Sequence, residues 1–233
     1  IGVHFATAPA SEGPPTACSL IAVAPDGQRS MNTHLGAARD LSPDDIKEAE
    51  IAAAGILYIE GYLWDAEAAK AASRKAIAIA KAAGTKVAFT LSDPFCVGRF
   101  REEFLDLLAN DLDILFANEE EALALFETES FDEVQRQMGF WGGVAAVTRS
   151  EKGCVVVRGQ EVHAVEAAPA PRVVDTTGAG DQFAAGFLYG LARGKNLRVC
   201  GQLGALAAGE IISHFGARPE TSLEKLAARA ALL

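Results

Sequence analysis

The sequence predicts an α/β protein with a mostly parallel central sheet that is flanked by helices on both faces. From residue 42 onward, short apolar segments alternate with segments of helical periodicity, which is typical of parallel strands joined by helical crossovers. The chain has 233 residues, of which 50% are hydrophobic, so it can bury a sizeable core. Strands are predicted at 56–59, 87–91, 114–117, 144–148, 153–158 and 161–165.

The helices are predicted from periodicity and from residues that favour helix ends. Ser42 and Pro43 suit the N-cap and first turn of one helix. The alanine-rich run between Asp65 and Gly84 has an N-cap residue before it and a terminating glycine after it. Further helices are predicted at 100–108, 119–126, 179–193, 197–214 and 222–232.

The first forty residues show a different pattern. Two β-like segments, 17–24 and 28–34, flank the turn residues Pro25-Asp26-Gly27, which predicts a hairpin rather than a β-α-β unit. We therefore expect residues 1–40 to contribute part of a small β lid and the strand that leads into the core. Residues 41–233 should form the α/β core itself.

Charge and composition exclude several classes of partner. Lys and Arg total 21 against 31 Asp and Glu, a net charge of −10, so the surface repels nucleic-acid phosphates and anionic membranes. The apolar stretches are far shorter than a bilayer span. The four cysteines show no C-x-x-C spacing, which suits reduced thiols in a cytoplasmic protein better than a zinc site or a disulfide framework.

The most informative segment is D-T-T-G-A-G-D, residues 175–181, which precedes an amphipathic helix. The backbone N–H groups of Gly178, Ala179 and Gly180 would lie at a helix N-terminus, where they suit a phosphate or a developing anion. Asp181 beside them could accept the proton of an attacking hydroxyl group. The plainer alternative is a tight turn in which Asp181 neutralises the helix dipole. The segment lacks the Rossmann fingerprint, and the sequence contains no P-loop.

A second motif is Asn118-Glu119-Glu120-Glu121, which follows the strand ending at residue 117. Asn118 and Glu121 have the spacing of a capping box, and the three acids complement the helix dipole. This capping box alone could explain the motif.

Together, the D-T-T-G-A-G-D and N-E-E-E motifs resemble those of the PfkB (ribokinase-like) family of carbohydrate kinases. The resemblance implies a ribokinase-like fold and ATP-dependent phosphoryl transfer, with Asp181 as catalytic base and Gly178, Ala179 and Gly180 as anion hole. In such a kinase Asn118 and Glu121 would organise Mg²⁺ and its waters near the ATP phosphates, so Asn118 counts as an ATP-site residue as well.

Weaker matches extend the resemblance to the phosphate loop, the lid and a cation site. Thr148 and Gly153 occupy positions of the family's T-x-G-x-x-G loop, although Ser150 replaces its central glycine. Arg29 matches a lid arginine that reaches ATP phosphates in relatives. The loop at Gly216 resembles one that holds a monovalent cation such as K⁺ together with two residues of the D-T-T-G segment, Asp175 and Thr177.

Several blocks are most similar to the adenosine kinase branch of the family. They are L-S-D-P-F at 91–95 and D-I-L-F-A-N-E at 113–119. The resemblance implies that Phe95 and the apolar lid residue Leu35 line a nucleoside pocket, with the 5′-hydroxyl of adenosine as phosphate acceptor. For Phe95 the alternative is core packing. For the substrate the alternative is a sugar, as in ribokinase, fructokinase or 2-keto-3-deoxygluconate kinase.

The sequence differs most from the family pattern at its N-terminus. Family members carry an N-terminal portion with the first sheet strand and part of the substrate site, whereas Ile1-Gly2-Val3-His4-Phe5 resembles the middle of such a protein. We therefore expect the chain to be inefficient as a kinase by itself and prone to association, with a homodimer as one outcome. A non-catalytic module that keeps the fold is the second alternative.

Overall fold

The computed structural model describes residues 3–5, 7–170 and 172–233, so a few residues of the predicted lid and entry region, 1–40, lie outside the described residues. A hairpin of β1 (Cys18–Val23) and β2 (Arg29–His34) forms a two-stranded antiparallel sheet. A six-stranded sheet follows in the order β3-β4-β5-β6-β7-β8. Its strands are β3 (Ile56–Glu60), β4 (Lys86–Thr90), β5 (Ile114–Asn118), β6 (Val144–Thr148), β7 (Cys154–Arg158) and β8 (Glu161–Val165).

The strand directions confirm the predicted mostly parallel sheet. β3 to β6 pair in parallel, and β7 and β8 are added as antiparallel strands. The hairpin in the first forty residues is also confirmed. The helices are α1 (Glu48–Ala53), α2 (Glu67–Ala83), α3 (Pro94–Asn110), α4 (Glu119–Phe126), α5 (Phe131–Trp141), α6 (Ala179–Ala192), α7 (Leu197–Ile211) and α8 (Leu223–Arg229).

Alternating side chains of the strands build one core on each face of the sheet. In β4, Val87 and Phe89 pack against α2 to α5, whereas Ala88 between them packs against α6 and α7. Because successive residues of a strand point to opposite faces, an apolar strand of this kind must be covered on both sides. Helices on both faces are therefore confirmed.

Three helix starts differ from the sequence prediction. Ser42 and Pro43 open only a 3₁₀ turn, Pro43–Asp45, and α1 begins later at Glu48. Asp65 does not cap α2, because its carboxylate pairs with Arg99 instead. Helix α3 begins at Pro94, earlier than predicted, with Asp93 accepting the Cys96 N–H as N-cap.

Helix α5 was absent from the sequence prediction altogether. Ser130 caps it by accepting the Glu133 N–H, and Gly142 ends it in the left-handed conformation with φ 82°. Its apolar residues recur at helical spacing, and Val134 and Met138 are buried, so the periodic signal was available but was missed.

Helices α6 and α7 approach each other backbone to backbone. A Cβ atom added to Gly186 would lie 2.5 Å from the Leu203 carbonyl oxygen, and one added to Gly204 would lie 2.8 Å from the Phe183 carbonyl oxygen. These glycines therefore fix the distance between the two helices. Within the described residues, no helix is long and apolar enough to cross a membrane.

Candidate active site

The carboxyl ends of the four parallel strands meet at one edge of the sheet. Glu60 at the end of β3 pairs with Thr90 of β4, and Asn118 of β5 pairs with Thr148 of β6. Open α/β sheets bind ligands at this edge. Asp181 lies near this edge, because its negative charge acts on Glu60. Loss of hydration raises the pKa of Glu60 most, and the charge of Asp181 raises it further.

The D-T-T-G-A-G-D segment forms the N-terminus of α6 as expected from the sequence. Gly178 is the N-cap with φ 78°, and Asp181 is the third residue of the helix. The Ala179 N–H donates to the Thr176 carbonyl over 3.3 Å, so this amide is partly engaged in the turn. Amides in a first helical turn lack intrahelical acceptors, and they leave the segment able to bind an anion beside the Asp181 carboxylate.

Asp175 is a buried carboxylate beneath this turn. One of its oxygens accepts from the N–H and hydroxyl of Thr177, at 2.9 and 2.6 Å, and the other accepts the Gly216 N–H at 3.0 Å. Burial alone would raise the pKa of Asp175, but these hydrogen bonds outweigh it and hold the pKa below its usual value. The structure thus brings Asp175, Thr177 and Gly216 together around a negative charge.

Asn118 and Glu121 form a reciprocal capping box at the start of α4. The Asn118 side chain accepts the Glu121 N–H at 2.8 Å, and Glu121 accepts the Asn118 N–H at 3.0 Å. Glu121 is buried, and burial, with a contribution from nearby Asp93, raises its pKa to about 7. Within the described part of the chain no three His, Cys, Asp or Glu side chains cluster as a metal site. Any magnesium here would therefore be held largely through water.

The loop after β6 adopts the backbone of a glycine-containing turn although Ser150 stands at its centre. Ser150 has φ 51°, in the left-handed region, and opens the 3₁₀ turn Ser150–Lys152. Gly153 has φ 81°, and a Cβ there would overlap the Val165 carbonyl oxygen. Arg149 ties the loop to α4, because it pairs with Glu119 at 2.6 Å. The serine therefore keeps the loop shape at some cost in backbone strain.

The hairpin reaches the D-T-T-G segment through Arg29. Its Nη1 donates to Thr176 Oγ1 at 2.8 Å, and the Thr176 N–H and hydroxyl donate to the Gly27 carbonyl at 3.3 and 3.2 Å. The Arg29 charge also contributes to the lowered pKa of Asp175. Arg29 is thus placed beside the candidate anion hole.

The two predicted substrate residues are both exposed. Phe95 lies in the first turn of α3 and is 80% exposed, so it does not pack in the core. Leu35 follows β2 and is 49% exposed. The core-packing alternative for Phe95 is thereby excluded, and its ring is available to a ligand.

Sequence reasoning missed two features at this edge. One is Glu60, a second carboxylate close to Asp181, whose position after an apolar strand was the available signal. The other is Ser92, which has φ 76° and is held by Tyr62: the Tyr62 hydroxyl donates to the Ser92 carbonyl, and Ser92 Oγ accepts the Tyr62 N–H. Such strained backbone concentrates at ligand sites.

The mixed sheet, its two helical layers and the hairpin define a ribokinase-like α/β protein. A probable sugar kinase from Rhizobium etli CFN 42 superposes over 100% of this chain and 71% of its own, with 49% identity and a TM-score of 0.97. The adenosine kinase from Sinorhizobium meliloti superposes over 98% of this chain and 70% of its own, with 52% identity and a TM-score of 0.95.

The sequence pattern of the pfkB family carbohydrate kinases matches residues 1–224, and the chain belongs to this family. Among curated proteins, the cytidine kinase of Thermococcus kodakarensis is 37% identical over 119 residues, which is 50% of this chain and 42% of that protein. The chain thus spans less than half of this curated relative.

Proposed function

We propose that the chain carries the nucleotide side of an ATP-dependent kinase that transfers a phosphoryl group to a hydroxyl of a small molecule. The observation that supports this most is the position of Asp181 in the first turn of α6, beside the Gly178–Gly180 segment and close to Glu60. Asp181 accepts the proton of the attacking hydroxyl, and the amides of Gly178–Gly180 stabilise the charge that develops on the transferring group.

Three further groups of residues hold the nucleotide in this proposal. Thr148, Ser150 and Gly153 line the phosphates from the β6 loop, and Arg29 approaches them from the hairpin. Asn118 and Glu121 hold Mg²⁺ through water, since hard cations take oxygen ligands and often keep several waters. The bound ion would neutralise phosphate charge. A monovalent cation such as K⁺ fits beside the ionised carboxylate of Asp175, near Thr177 and Gly216.

We further propose the 5′-hydroxyl of adenosine as the phosphate acceptor. Support comes from the exposed ring of Phe95, which can stack on a purine, from Leu35 on the hairpin, and from the 52% identity to an adenosine kinase. A free sugar gains little from such apolar groups. Specific activity should therefore be highest on adenosine when it is compared with ribose, fructose and 2-keto-3-deoxygluconate, and a clear preference for a free sugar would overturn this assignment.

Glu60 supports a second candidate, a sugar as acceptor. A carboxylate beside Asp181 can accept a hydrogen bond from a second hydroxyl of a polyol. If a sugar is the acceptor, Glu60→Gln should raise the KM for that sugar, whereas the KM for ATP should stay unchanged.

A thermal-shift measurement distinguishes a kinase, whether for adenosine or for a sugar, from a module that keeps the fold but has no catalytic activity. A kinase should be stabilised by ATP with Mg²⁺, and further by its acceptor, because each ligand binds only the folded state. If no nucleotide raised the melting temperature, the proposed function would be wrong.

The homodimer remains a prediction. Analytical ultracentrifugation of the chain would measure its oligomeric state directly.

A further inference from the structure

Glu210 is a buried carboxylate that lies outside the residues assigned above. It lies near the end of α7 and is only 9% exposed. Its Oε1 accepts the backbone N–H groups of Glu220 at 2.9 Å and Thr221 at 2.7 Å, and its Oε2 lies 3.3 Å from His214 Nε2. A buried charge is tolerated when hydrogen bonds satisfy it in this way, so these partners are fixed in place with it.

The segment 213–221, here called the α7–α8 loop, is held at a second point by Asp175. The Gly216 N–H donates to Asp175 Oδ2 at 3.0 Å. Next to it, Ala217 packs under the helix start, since a Cβ added to Gly178 would lie 2.9 Å from the Ala217 Cβ. The α7–α8 loop is thus held by two buried carboxylates, Asp175 and Glu210. Between these two points, Ala217 packs against Gly178, the N-cap of α6.

We propose that Glu210 is a positioning residue for the anion hole. By fixing the far end of the α7–α8 loop, Glu210 keeps Gly216 against Asp175 and Ala217 against Gly178. Glu210 itself does not reach the transferring group; it acts through the loop. Its effect on nucleotide binding rests on the proposed function of Gly178–Gly180, whereas its effect on the loop does not.

The first test measures affinity for ATP with Mg²⁺ by calorimetry on the whole chain. Glu210→Ala removes the carboxylate that accepts the Glu220 and Thr221 N–H groups, and affinity should fall by about tenfold or more. Glu210→Gln keeps an oxygen for both N–H groups and should stay within about threefold of the parent. The matched control is Glu103→Ala, which removes a carboxylate that binds Trp64, Lys70 and Arg74 on the opposite face of the sheet. This control should melt earlier yet bind nucleotide like the parent.

The second test needs no nucleotide. Hydrogen exchange of the ligand-free chain should become faster in Glu210→Ala, but not in Glu103→Ala, at the amides of Gly216, Thr177 and Ala179, which donate hydrogen bonds in this part of the structure. If Glu210→Ala does not fold, Glu210→Asp, whose shorter side chain cannot reach both N–H groups, is measured in the same way.

The two tests separate the two proposals. Faster exchange confined to 220–221, with unchanged exchange at Gly216, Thr177 and Ala179, would overturn the role of Glu210. A parent chain that binds no nucleotide would count against the proposed function, and the exchange result would still decide the positioning role.

Discussion

The buried carboxyl group of Glu121 leads to a prediction about how stability depends on pH. Burial raises its pKa from the ordinary value of 4.5 to about 7. The folded state therefore holds a proton at this group over a pH range in which the unfolded chain has released it. Because the folded state then binds more protons, the contribution of this group to stability falls as pH rises from about 4.5 to about 7, and it stays low above that range.

The size of the effect follows from the shift. Each unit of pKa corresponds to about 1.4 kcal/mol, so ionising Glu121 in the folded state costs about 3 kcal/mol in total, of which about 2–3 kcal/mol is lost between pH 5 and pH 8. Glu121→Gln keeps the side-chain oxygen that accepts the Asn118 N–H but does not ionise. The variant should therefore gain about 2–3 kcal/mol over the parent between pH 5 and pH 8.

Urea unfolding of both proteins at several pH values measures this difference directly. Glu102→Gln, which removes the charge of an exposed acid in α3, is the control and should follow the parent. If Glu121 also organises Mg²⁺, added Mg²⁺ should stabilise the parent at pH 8 and leave Glu121→Gln unchanged. A difference between parent and Glu121→Gln that is the same at pH 5 and pH 8 would refute the burial argument.

Three other substitutions test the site and its loops. Asp181→Asn should retain ATP binding while ADP release with acceptor falls by about 10²–10⁴-fold, and parental turnover in a folded variant would remove Asp181 as the base. Ser150→Gly should raise the free energy of unfolding by up to about 1 kcal/mol, because glycine adopts the left-handed conformation without strain; Glu151→Gly serves as the control, and a loss of stability would show that the serine hydroxyl matters more than strain. Gly153→Ala should lower the free energy of unfolding by about 1–3 kcal/mol, since its Cβ meets the Val165 carbonyl, and an unchanged melting temperature would contradict that overlap.

Secondary structure was predicted best from the sequence where residues typical of turns or helix ends lie next to a clear apolar pattern. The β5–α4 unit is an example, since an apolar strand ends at a residue that also caps the next helix, Asn118. The hairpin is another, because its turn residues separate two segments of similar length. The start of α3 was available from Asp93-Pro94, an N-cap followed by proline, and Ser130 with Glu133 marked α5. These signals were present in the sequence, and the prediction did not use them.

A single sequence does not show which residues far apart in the chain lie close together in the fold. Glu60 and Asp181 are distant in the chain and come together only because β3 ends and α6 begins near the same edge of the sheet. The position of Glu210 is similar, because its partners lie on a loop without regular structure. Isolated acids of this kind have no spacing that distinguishes them from surface residues.

The backbone contact between α6 and α7 determines which part of the molecule can move over the site. Side chains can absorb a displacement by changing rotamer, but Gly186 meets the backbone of α7 directly, and Gly204 lies against the backbone and ring of the buried Phe183. We therefore expect the N-terminus of α6 and the end of α7 to shift together as one rigid body. The hairpin meets that body through a few hydrogen bonds at Thr176, so closure over a bound nucleotide should be a hinge motion of the hairpin about its turn at Gly27.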